Sequence, residues 1–142
     1  MSAGGRDETV LGFDYGDRRI GVAVGQTVSR TASPLKTLPA KSGQPDWALV
    51  AKLVAEWKPD RAVVGLPAMA DGAPHPVAEA ARRFARRLHG RFGLPIVYVD
   101  ERLSSHAAAE RTRDTEVLDA MAACVILETW LAEGSATERS PV

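Results

Sequence analysis

An aspartate at the end of an apolar strand, followed by a tight turn, constrains this chain more than any other feature. In the stretch GFDYGDRRIGVAV, residues 12 to 24, apolar residues lead into Asp14 and a Gly16-Asp17 turn follows. Ile20, Val22 and Val24 then alternate with Gly21, Ala23 and Gly25. Period-two alternation beyond a Gly-Asp turn predicts a β-hairpin. A carboxylate so close to a core requires a partner, either a cation on the protein or a bound metal. The metal is the expectation adopted here.

The remaining elements follow from pattern and punctuation. Strand one is expected over residues 10–14, strand two over 19–25, and a third over 31–38, at an edge that tolerates Pro34. A helix over 46–57 places Trp47, Val50, Val54 and Trp57 on one stripe, read as core. Ala62 to Leu66 and Ile96 to Val99 read as strands buried on both faces. Between them a helix over 77–89 turns Val77, Ala81, Phe84 and Leu88 inward and Arg82, Arg83, Arg86 and Arg87 outward. The arginines are read as a solvated face. Ser104 or Ser105 caps a short helix to Arg111, and a last helix over 115–131 carries AMAACVIL, apolar all round and therefore core. An antiparallel start followed by βαβ crossovers predicts an α/β fold: a mixed five-stranded sheet with helices on both faces.

At 142 residues this is one domain, placed over 9–132, with residues 1–8 and 133–142 as flexible tails. Eighteen Lys and Arg balance eighteen Asp and Glu, so any nucleic-acid contact must rest on local patches. The single cysteine, Cys124, excludes an internal disulfide and suits a reducing compartment. No signal peptide and no membrane-length apolar run are seen, so a soluble, cytoplasmic protein is expected.

Three acids come from three places. Asp14 ends strand one, Glu101 follows the last strand, and Asp119 lies about one turn into the apolar helix. Brought to one pocket they would repel unless divalent cations sat between them. All-oxygen ligands favour Mg²⁺ or Mn²⁺ over zinc, and two such ions suit phosphodiester cleavage. Read singly, the acids are more simply ordinary, Asp14 in a turn, Glu101 in a loop and Asp119 paired with an arginine; their combination with the surrounding sequence favours the metal.

Four blocks, GFDYGDRRIGVAV, VVGLP followed by ADG, YVDERLSS and DAMAAC, resemble in order the signature blocks of the YqgF family, also called RuvX. The resemblance spans about residues 9 to 131. It implies a ribonuclease H-like fold similar to that of RuvC. It also implies a metal-dependent nuclease acting on branched DNA, as a Holliday junction resolvase, or on precursor 16S ribosomal RNA in 5′-end maturation. On this resemblance Asp14, Glu101 and Asp119 match the family's acids, as catalytic residues and metal ligands. Arg18, Arg19, Ser104, Arg111 and Arg113 are candidates for substrate binding, Arg19 equally for orienting the acids. A two-fold junction suits a homodimer.

Three departures stand out. Gly25 replaces a usual serine, AMADG keeps only the Asp71-Gly72 turn, and the segment between Glu101 and Asp119 is short, retaining Arg111 and Arg113 of a basic turn. Two other classes compete. A non-catalytic nucleic-acid-binding module would keep the fold without cleavage. An actin-like nucleotide phosphohydrolase shares the Asp14-Tyr15-Gly16 hairpin but needs two related domains. His75, His89 and His106 offer no ligand set, and Cys124 reads as a small hydrophobe.

Overall fold

Alternation along the first strand divides the molecule in two. In a computed structural model, which describes residues 8–16, 18–66, 76–100, 115–132 and 139–140, β1 (Thr9–Asp14) is the central strand of the sheet. It pairs antiparallel with β2 (Arg19–Gln26) and parallel with β5 (Arg61–Leu66). Leu11 and Phe13 enter one core, while Val10 enters the other. Period-two geometry puts Gly12 and Asp14 on the Val10 face.

The five long strands are those the sequence pattern predicts. β3 (Thr31–Lys41) pairs antiparallel with β2, and β6 (Ile96–Asp100) pairs parallel with β5. Two short strands extend the expected sheet. β4 (Gln44–Pro45) folds back on Ala40 and Lys41, and β7 (Arg139–Ser140) pairs antiparallel with Ile96 and Val97 of β6. The order is β4-β3-β2-β1-β5-β6-β7. β3 is therefore covered only at its far end, and Pro34 lies on its open side beside a bulge. Val22 faces Lys36 while Ala23 faces Pro34, which leaves Leu35 as the extra residue.

Residues within both expected tail ranges meet the rest of the domain. Glu8 is tied in by two bonds from Arg61 to its carboxylate, 2.8 and 2.9 Å, and its amide donates to Thr27 Oγ1 at 2.8 Å. The C-terminal stretch contributes β7.

Helix α1 (Trp47–Trp57) starts where the Asp46 side chain accepts from the Ala48 amide at 3.0 Å. It ends at Lys58, held at φ 48° with its amide on Val54 O at 2.8 Å, just before Pro59. Val50 and Leu53 are its buried residues, with the two tryptophans packed partly against the core. Helix α2 (Pro76–Phe92) buries Ala78, Ala81, Phe84, Ala85 and Leu88. Gly93, at φ 72°, stops it by bonding His89 O, and the His89 ring reaches Leu94 O at 3.0 Å. His89 is thus a helix-end residue.

The opposite face belongs to helix α3 (Thr115–Ala132). Its Ala123, Cys124, Ile126, Leu127 and Trp130 pack on Val10, Ala23, Val63, Val97 and Val99. Each fully buried large side chain here contributes about 1.5–3 kcal/mol. No described helix is long and apolar enough to cross a membrane.

Candidate active site

β1, β5 and β6 run parallel, so Asp14, Leu66 and Asp100 mark one edge of the sheet, where α/β proteins place their ligands. At that edge Asp14 pairs in register with Gly21 of β2. A Cβ on Gly21 would overlap the carbonyl of Asp119, so the missing side chain is what lets α3 rest its backbone on the strand. Two residues earlier in β1, a Cβ on Gly12 would lie 2.5 Å from Leu127 Cγ. The small residues of the hairpin form a shallow bed for the last helix. Asp119 is thereby set above the strand pair that carries Asp14, although the two acids lie near opposite ends of the chain.

Asp14, Tyr15, Gly16, Arg18, Arg19 and Asp119 line a cleft of about 300 Å³. Arg19 opens β2, and its Nε donates to Asp119 Oδ2 at 2.6 Å. The pair stays partly wet, with side-chain exposures of 44% and 22%. The turn beneath is tight. A Cβ on Gly16 would lie 2.7 Å from Arg19 O, and Tyr15 turns its ring into the opposite core, where its hydroxyl donates to Gly43 O at 2.9 Å. The backbone at Tyr15 and Gly16 is thus pinned from both sides.

Of the residues singled out in the sequence, Asp14, Arg18, Arg19 and Asp119 share this cleft. Glu101, Ser104, Arg111 and Arg113 lie outside the described residues, as do His75, His106 and the Asp71-Gly72 turn. Among the described residues no cluster of three or more His, Cys, Asp or Glu is assembled. Gly25 pairs with Val10 at the other end of β2, and a Cβ there would meet Leu127, Thr31 O and Val10 at 3.3 Å each. The glycine at that position lies in close packing under Leu127, remote from the cleft.

The arginines of α2 face away as expected. Arg83, Arg86 and Arg87 are exposed, and Arg91 stacks over the Trp47 ring with 4.5 Å to its centroid. Burial pushes the Tyr98 hydroxyl above its ordinary pKa, while the charges of Arg82 and Arg86 pull it the other way. Sequence reasoning missed the glycine bed. Its signal was present in GVAVG, where every second residue is small and a later helix is apolar all round.

Solved structures with this architecture include RuvC of Thermus thermophilus in complex with a Holliday junction substrate, at a TM-score of 0.63 and 15% identity, covering 93% of this chain and 99% of that one. The yeast mitochondrial Holliday junction resolvase Ydc2 matches at 0.54 and 11% identity, over 89% of this chain and 78% of that one. These likenesses establish a RuvC-like, ribonuclease H-like fold. Sequence relatives are far closer. A provisionally named pre-16S rRNA nuclease of Azotobacter vinelandii is 53% identical over 132 residues, 87% of this chain and 93% of that protein. One of the same name from Paraburkholderia phymatum is 48% identical over 131 residues, 89% of this chain and 87% of that protein. The family model described as RuvX, Holliday junction resolvase, matches residues 8–133, and the chain belongs to that family.

Proposed function

We propose that this chain is a metal-dependent nuclease that cleaves phosphodiester bonds of structured nucleic acid. One observation carries the reading. Asp14 from the central strand and Asp119 from the last helix line a single cleft together with two arginines. The family description and the names of the relatives support a nuclease, the former pointing to branched DNA and the latter to precursor ribosomal RNA.

The donors fit a hard divalent cation. Asp14 and Asp119 offer carboxylate oxygens, and among the described residues no sulfur or imidazole lines the cleft. Asp14, Asp119 and, by the DER block, Glu101 would hold Mg²⁺ or Mn²⁺. The bound ion would supply charge neutralisation at the scissile phosphate and a more acidic water. The protein's own part is positional. Gly21 sets the height of Asp119 over β2, the Gly16 turn fixes Asp14 relative to Arg19, and Arg18 presents a guanidinium to phosphate oxygens. Ser104, Arg111 and Arg113 are assigned to the substrate by the resemblance alone.

Labelled four-way DNA junctions and structured RNA, incubated with and without Mn²⁺, test the proposal. Cleavage is expected only with metal. Asp14→Asn, Glu101→Gln and Asp119→Asn should each lower the rate by on the order of 10³–10⁴, in the range seen for single members of a catalytic group. Binding of either substrate without cleavage under any metal would overturn the reading in favour of a non-catalytic module.

A further inference from the structure

Arg19 is the cleft's least explained residue. Ile20 belongs to the Leu11 and Phe13 core, so Arg19 and Gly21 point to the α3 face. That is the side on which Asp119 sits. The bond to Asp119 uses Nε, and among the described residues the Nη atoms form no bond. A carboxylate paired with a guanidinium is a poor place for a divalent cation, because two positive charges would then share one oxygen pair. Yet the pair is half open to solvent, where such contacts are worth about 0–1 kcal/mol and yield readily.

The helix does not depend on it. α3 is seated by Ala123, Leu127 and Trp130 and by backbone contact at Gly21. A guanidinium also matches the fork geometry of phosphate.

We infer that Arg19 is an exchangeable positioning residue. In the free protein it holds the Asp119 carboxylate over Gly21, and when a divalent cation takes that carboxylate the guanidinium transfers to a phosphate oxygen of the nucleic acid. The inference rests on the nuclease reading above. It assigns Arg19 opposite effects on the two ligands: removing it favours the cation and disfavours the nucleic acid. A plain strap for α3 would weaken both.

Titration of the full chain with Mn²⁺ by calorimetry, and of a four-way junction at several salt concentrations, reads the two effects without cleavage. Arg19→Gln should bind Mn²⁺ about fivefold tighter, the weight of a half-exposed ion pair. It should bind the junction several-fold more weakly, with the salt slope reduced by about one. Arg19→Lys, which keeps the charge, should leave Mn²⁺ affinity within about twofold of wild type. Melting temperature should move by no more than about 2 °C in either variant.

Equal or weaker Mn²⁺ binding in Arg19→Gln, unchanged junction binding, tightening by Arg19→Lys as by Gln, or a large fall in stability would each overturn the inference. Asp14→Asn separates the two readings. If wild type takes up no Mn²⁺, or Asp14→Asn takes it up equally well, the metal site itself fails and this inference falls with it. If uptake depends on Asp14 but not on Arg19 in the stated direction, only the role of Arg19 fails.

Discussion

The two faces of the sheet solve the same packing problem with opposite materials. Toward α1 and α2 the strands present Leu11, Phe13, Ile20, Val22 and Val64, and Phe84 gathers Phe13, Tyr15 and Trp47 at 5.4, 5.4 and 5.7 Å between ring centroids. Toward α3 the hairpin presents Gly12, Gly21, Ala23 and Gly25, and the helix comes down almost onto backbone. Large side chains keep elements apart and make stability. Absent side chains let elements meet, and here the meeting point is where the acids converge. The comparison teaches that one face is built for cohesion and the other for placement.

Substitutions should separate those duties. The largest effect is expected from Asp119→Asn. A rate loss on the order of 10³–10⁴ corresponds to about 4–5.5 kcal/mol of transition-state stabilisation. The denaturation midpoint should stay near wild type, since the lost ion pair is half exposed. If unfolding shifts as much as the rate does, Asp119 is a structural residue and the division between faces fails.

Phe84→Ala, on the other face, should behave inversely. Loss of a 3% exposed ring at the aromatic hub costs about 3–5 kcal/mol in urea denaturation, while the folded fraction should still cut. Gly21→Ala should injure both properties, because the new Cβ meets the Asp119 carbonyl and not a flexible side chain. Overpacking of this kind costs about 1–3 kcal/mol and displaces α3, so stability and rate should fall together. Asp46→Ala is the smallest of the set. It removes the α1 cap, far from the glycine bed, at about 1 kcal/mol with no change in cleavage.

Local signals carried most of the fold. Period-two alternation and a glycine turn were sufficient for β1 and β2, continuous apolar runs for β5 and β6, and Asp46 and Lys58-Pro59 bracketed α1. β4 and β7 were not legible, since two residues have no period and Pro45 argues against a strand wherever it occurs. Within the cleft, the types of Asp14, Arg19 and Asp119 could be read, and an arginine partner for Asp119 was one reading of the sequence, but that Arg19 is the partner was not fixed. The bond arises because α3 docks on β2, a tertiary event with no local trace. The place of Gly25 was hidden for the same reason: only the strand register puts it at the far end of β2 from the cleft.

The middle strand of the sheet is made before its neighbours, and the helix that completes the cleft follows only after β6. A growing polypeptide, which folds from its amino end onward, therefore exposes Asp14 long before Asp119 has left the ribosome. Half-made copies carry one acid without its counterpart. The cleft is thus withheld, by connectivity alone, until α3 has been added.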